Sequence, residues 1–289
     1  MKQAAYLAQY AGLRTVLGAS RLAPLPVKRR IVGRVFEGVV RAGGLGRRVD
    51  DNLAYIYPHL DAATRTRMIG EVSRSVASTL CSLWFPQEFA REVADVRPEG
   101  PGWDALVRAR AAGRGAVILT GHFGQFETIR HVLRVAGMPA GGIYRPNNNP
   151  WYDGYWVERA EWNGAPVIPK GRPGHRALTR HLRDGGFILI LVDQAVRRGV
   201  PLDFLGKPAL TSTGAATIAA RHGAELVTAW GPVTDGRCRA VFDDPLDPSD
   251  PEGALSEYNA RLGSWIGQHT TQWHWFHDRW KGRKGRKHA

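Results

Sequence analysis

Apolar positions recur every three or four places along the first 95 or so residues, whereas short unbroken apolar runs take over from Gly115 onward. That change of period separates a helical region from one in which strands and helices alternate. At the start, Leu7, Leu13, Val16, Leu17 and Leu22 are interrupted by Lys2, Arg14 and Arg21. The pattern predicts an amphipathic helix with a basic face over 1–25, of the kind that lies on a membrane; an ordinary surface helix fits it equally. Pro24 and Pro26 separate this helix from a second over 27–42, which the run Gly43-Gly44-Leu45-Gly46 is expected to end. A third follows Asp61 and carries apolar or small residues on one side through Leu80, Leu83 and Trp84.

Beyond Gly115 the sequence predicts a buried strand over 116–120, a helix over about 123–136, and short strands at 142–144 and 166–169. The run Phe-Ile-Leu-Ile-Leu-Val over 187–192 is the clearest strand, and its unbroken apolar character suits a sheet covered on both faces. Thr211 or Ser212 can cap a helix over 213–222. Strands over 225–230 and 237–242 and an amphipathic helix over 252–269 complete an α/β pattern with a helical N-terminal layer and no internal repeat. The implied division is 1–95 helical and membrane-associating, 96–280 an α/β core, and 281–289 a tail, all within one structural domain.

Composition narrows the choice of partners. The chain has 289 residues and a net charge of +14, which predicts attraction to nucleic acid, anionic lipid or an acidic protein. No helix-turn-helix, RNA-binding or zinc pattern stands out and the positive charge is scattered, which disfavours nucleic acid. Cys81 and Cys238 lie too far apart for a disulfide framework or a zinc finger, as suits a reducing compartment. No run reaches the roughly 18 apolar residues of a spanning helix, and the N-terminus is too broken for a signal peptide. Lys281, Arg283, Lys284, Arg286 and Lys287 make the tail purely cationic. It is expected to be disordered, and next to an anionic bilayer each charge contributes about 1 kcal/mol.

The chemistry concentrates in Gly121-His122-Phe123-Gly124-Gln125-Phe126-Glu127, directly after the first buried strand. A histidine at the carboxyl end of such a strand stands where open α/β sheets place their reactions, and can act as a general base. Five residues along a regular helix turn through about 500°, so His122 and Glu127 converge only if His122 belongs to the turn before the helix. The positive end of that helix favours the neutral imidazole. Glu127 would then hold the proton-bearing ring nitrogen, as the acidic member of a triad does. A capping histidine with a solvated glutamate also fits the spacing. No serine or cysteine has a comparable setting, so a base here most simply activates a hydroxyl on the substrate.

With these residues the chain resembles the late acyltransferases of bacterial lipid A biosynthesis, within the lysophospholipid acyltransferase superfamily. The resemblance runs from about residue 50 to 281. His122 and Glu127 match that family's histidine, four residues, acid motif. Tyr144-Arg145-Pro146 with Asn147-Asn148-Asn149-Pro150, Val192-Asp193-Gln194, Phe204-Leu205-Gly206-Lys207-Pro208-Ala209, and Trp273-His274-Trp275-Phe276-His277-Asp278-Arg279-Trp280 follow in the family's order. The resemblance implies a glycerolipid acyltransferase-like fold with a central mixed sheet flanked by helices. It also implies acyl transfer from acyl carrier protein to a hydroxyl of a membrane-borne lipid A precursor, with no metal or organic cofactor, at the cytoplasmic face of the inner membrane. Arg145 is expected to bind a phosphate or steady the oxyanion, Asp193 to support Arg145 or the substrate, and Asn148, Gln194 and Arg197 to contact substrate. The tryptophans are expected first in the core. Many family members begin with a spanning helix, and this chain offers an interfacial one. The form His-Phe-Gly-Gln-Phe-Glu also resembles relatives that acylate phosphatidylinositol mannosides or ornithine lipids.

Overall fold

The computed structural model of the chain describes residues 2–281. The basic tail expected over 281–289 therefore lies, Lys281 apart, outside the described residues. The chain opens with five helices: α1 (Lys2–Ala19), α2 (Leu25–Ala42), α3 (Gly44–Ile56), α4 (Ala62–Trp84) and α5 (Pro86–Glu92). The Asp61 side chain caps α4 by accepting from Thr64 N at 2.7 Å, which satisfies one of the orphan donors of the first turn. The glycine run ends the second helix at Gly43, as expected, and also starts another. Gly43 is extended, and the chain re-enters helix at Gly44 so that Val49 and Leu53 reach the core.

The α/β part follows in the order β1 (Pro98–Glu99), α6 (Pro101–Ala111), β2 (Ala116–Thr120), α7 (Glu127–Val135), β3 (Ala140–Tyr144), α8 (Pro150–Glu161), β4 (Val167–Pro169), α9 (Arg172–Arg183) and β5 (Phe187–Leu191). Then come β6 (Val200–Phe204), β7 (Lys207–Thr211), α10 (Gly214–His222), β8 (Glu225–Trp230), β9 (Val233–Thr234), β10 (Arg237–Cys238), β11 (Ala240–Phe242) and α11 (Pro251–Gln268). Seven strands form the central sheet in the order β1-β11-β8-β2-β5-β3-β4, all neighbours parallel except β11 and β8. The sheet is thus mixed but mostly parallel, and helices cover it. Every residue of β2 is buried, as its unbroken apolar run requires for a strand packed on both faces.

One hydrophobic cluster joins the N-terminal helices to the sheet: Val40, Leu53 and Val72 pack in the same core as Val117, Leu119 and Ile188. The first helix turns much of its apolar surface inward. Leu17 is buried with Phe85, Phe89 and Tyr155, and Tyr10 and Leu13 pack against that group. The exposed apolar stripe lies one helix later, where Val27, Ile31, Val35 and Val39 of α2 face outward at four-residue spacing. No helix among the described residues is long and apolar enough to cross a membrane.

Candidate functional site

The register of the two central strands builds the site. Thr120 of β2 pairs with Leu191 of β5, so residues two beyond each strand end, His122 and Asp193, arrive side by side. His122 Nδ1 lies 2.8 Å from Asp193 Oδ1, while the His122 backbone N–H donates to Oδ2 at 2.8 Å and the Trp273 indole N–H donates to the same oxygen at 2.9 Å. Burial alone would raise the pKa of Asp193. The charge of the His122 ring and the hydrogen bonds from His122 and Trp273 overcome that and hold the carboxyl well below its ordinary range. An ionised carboxylate only accepts, so in the neutral form of the ring Nδ1 carries the proton and Nε2 is the free lone pair.

This pairing corrects two expectations. Among the described residues Asp193 holds the histidine and makes no hydrogen bond to Arg145. Glu127 does not hold the imidazole. It opens α7 and turns its carboxylate one helical turn onward to Arg130, whose Nη1 lies 3.2 Å from both oxygens, and it accepts from Asn163 Nδ2 at 2.8 Å. Arg130 in turn donates to the carbonyls of Ala140, Ala160 and Gly164 at 3.1, 2.7 and 2.6 Å. The pair is buried and ties α7 to β3 and to the end of α8.

The residues between β2 and α7, expected as the first turn of a helix, form a pinned loop instead. The helix starts only at Glu127 because the backbone of 122–125 is already committed elsewhere. Phe123 bridges Trp273, and His274 N donates to His122 O at 3.0 Å. Gly124 N donates to Gln272 O at 2.9 Å, Gln125 N to Gly231 O at 2.7 Å, and Thr79 Oγ1 of α4 to Gly124 O at 2.9 Å. Gly124 has φ of 56°, and a Cβ there would lie 2.1 Å from Gly231 O, so only glycine fits. The tryptophan-rich segment is core, as expected, with Trp273, Trp275 and Trp280 buried. It is also part of the site, since its backbone holds His122 and the Trp273 indole holds Asp193.

Two cavities meet at His122. One, of about 300 Å³, runs between the sheet and helices α7 and α8, and His122, Glu127, Arg145, Lys170 and Gln194 line it. The other, of about 330 Å³, runs between α2 and α4 to the histidine and is walled by Phe36, Val76, Leu80, Leu83, Phe126 and Trp156. Arg145 is exposed at the first cavity's rim beside Lys170, which the pairing of Tyr144 with Pro169 brings level with it. Lys170 carries no sequence signal; only that register finds it. Asn148 and Arg197 are exposed and line neither cavity. Asn147, the neighbour of Asn148, lines the first, while Asn149 caps α8 by accepting from Trp151 N and Tyr152 N.

The His274 ring lies tilted beside that of His122, with centroids 5.5 Å apart. Burial, then the neighbouring His122, pushes its pKa down to about 3. Burial likewise lowers His277, whose Nε2 accepts from Ala195 N at 2.9 Å. Both rings are therefore neutral near pH 7. The folded-state pKa of His274 lies below the roughly 6.5 of an unfolded histidine, so the unfolded chain binds the proton first as pH falls. Stability should thus decline below about pH 6.5, with His274 accounting for on the order of 1 kcal/mol by pH 5.5. Thermal unfolding at pH 7.5 and 5.5 tests this, and His274→Gln is expected to flatten the difference.

A family model for the bacterial lipid A biosynthesis acyltransferases matches residues 3–282, a span that contains every residue of this site. The chain belongs to that family. A lipid A biosynthesis acyltransferase of Haemophilus influenzae is 22% identical over 233 residues, 79% of this chain and 73% of that protein. An acyltransferase of lipid A synthesis needs room for an acyl donor and a lipid acceptor at one reacting group. In this acyltransferase the two cavities meet at the only side chain of the site with a free basic nitrogen held by a buried carboxylate.

Proposed function

We propose that this acyltransferase moves a fatty acyl chain from acyl carrier protein to a hydroxyl of a lipid A precursor, with His122 as general base and Asp193 as its positioning partner. The observation that carries the reading is the His122–Asp193 pair at the junction of two cavities. His122 Nε2 takes the proton of the acceptor hydroxyl as its oxygen attacks the thioester carbonyl. The tetrahedral oxyanion collapses, the carbon–sulfur bond breaks, and the imidazolium returns the proton to the departing thiolate. An ester and a free thiol result, with no enzyme-bound intermediate. Asp193 stabilises the imidazolium while it exists.

The cavity between the sheet and α7–α8 is assigned to the acyl chain of the donor. Its cationic rim, Arg145 and Lys170, suits the phosphate of a carrier-protein prosthetic arm and the acidic carrier itself, and Gln194 stands in the wall as a further polar contact. The apolar groove between α2 and α4 is assigned to the acceptor, which must come from the bilayer. Incubating the purified protein with labelled acyl carrier protein and a lipid A precursor in mixed micelles tests the assignment. Labelled acceptor is expected, and transfer from acyl-coenzyme A alone would overturn the donor.

Membrane association is proposed through α2 rather than α1. Ile31, Val35 and Val39 are 56, 64 and 59% exposed, and Arg30 and Arg34 lie exposed beside them. An apolar stripe edged by arginine suits a helix lying in an anionic interface. Phe36, on the same helix, lines the groove to His122. The double change Ile31→Asp with Val35→Asp is expected to lower binding to phosphatidylglycerol vesicles by roughly tenfold or more. Unchanged flotation with such vesicles would rule this face out.

A further inference from the structure

Two adjacent glycines in β3 meet very different surroundings. A Cβ on Gly141 would lie 2.4 Å from Pro166 O and 3.1 Å from Ile188 Cδ1, so packing explains that glycine. A Cβ on Gly142 would meet nothing within 4 Å. The positive backbone φ angles occur at other glycines, so no left-handed conformation demands Gly142 either. Glycine inside a strand weakens it, and where neither conformation nor crowding requires one, the open space itself is the remaining reason.

That space is the cavity assigned to the acyl chain, which Gly142 lines. Gly142 pairs with Leu189 on one side and Val167 on the other, and both also line it. Leu189 pairs in turn with Ile118, four residues before His122, so this level lies about 13 Å down the strands from the histidine at the rise of a parallel strand. A chain whose carbonyl sits at His122 and which descends along this face of the sheet arrives beside Gly142. Its flanking residues there, leucine and valine, are already large and buried.

We infer that Gly142 sets the length of the acyl chain this enzyme transfers, by leaving the far part of the donor cavity open. The inference rests on the proposed assignment of that cavity to the donor chain. A side chain at position 142 grows into space the terminal methylenes occupy, and excluding a methylene from an apolar site shifts preference by roughly fourfold.

The experiment gives purified Gly142→Ala, Gly142→Val and Gly142→Leu proteins an equimolar mixture of acyl carrier protein donors differing in two-carbon steps. Acylated lipid A precursor is then read by mass spectrometry. The product distribution is expected to shift progressively to shorter chains from Ala to Leu, with turnover of the shortest donors retained. An unchanged distribution in the Val and Leu proteins overturns the inference. So does a uniform loss with every donor in all three variants when their melting temperatures match the parent. The parent and His122→Ala proteins run alongside. Transfer by the parent and none by His122→Ala leaves the general reading standing even if Gly142 has no effect. No transfer by the parent from any donor removes both.

Discussion

Replacing Asp193 with asparagine is expected to lower kcat for acyl transfer by about a thousandfold to ten-thousandfold, with little change in KM. The reason lies in the hydrogen bonds. Asp193 Oδ2 accepts from both the His122 backbone and the Trp273 indole, so the amide oxygen of an asparagine must stay there. Its NH₂ then falls where Oδ1 stood and donates to His122 Nδ1. Imidazole responds by moving its proton to Nε2, the atom that has to accept from the acceptor hydroxyl. The variant keeps the fold and the geometry but presents the wrong tautomer. Steady-state kinetics check this, and His122→Ala with Asp193→Asn should be little worse than either alone, because the two act as a unit. A loss of less than tenfold would mean that Asp193 does not orient the base.

The second large effect falls on stability. Glu127→Ala is expected to cost about 3–5 kcal/mol, because it strips a buried guanidinium of its carboxylate. For a chain of this size that is a fall in Tm on the order of 5–10 °C. Arg130 keeps its three carbonyl partners, but their dipoles do not replace a charge. Glu127→Gln retains the shape and should be milder. If Glu127→Gln instead kept its Tm and lost activity as severely as Asp193→Asn, Glu127 would have a direct part in the chemistry.

Much of the frame was legible because it rests on local pattern. The mostly apolar segments at 116–120, 187–191 and 225–230 are the three adjacent strands at the centre of the sheet. His122 and Asp193 each stood out as a polar residue just past a strand. Their partnership did not, because the residues lie 71 positions apart and only the pairing of Thr120 with Leu191 sets them level. Equal offsets from two strand ends would have suggested it. Sequence spacing favoured Glu127 because it counts along the chain, whereas a carboxylate in the first turn of a helix finds its neighbour at i+3, here Arg130. Position 274 reads only as one of a tryptophan-rich segment. Its place against His122 depends on a bridge between Phe123 and Trp273 that no periodicity reports. The membrane face was sought on α1 because of its charge pattern. The proposal moves it to α2 because Leu13 and Leu17 are taken up by packing with Phe85 and Phe89, while Ile31, Val35 and Val39 of α2 are exposed.

The most direct measurement of the central claim is mass spectrometry of lipid A from a strain lacking one secondary acyltransferase, supplied with the intact chain or with His122→Ala. Gain of one acyl chain with the intact protein, absent with the variant at equal expression, is the expected result. An equal gain with His122→Ala would contradict His122 as the base. An unchanged lipid A profile despite good expression of the intact chain would contradict the acceptor.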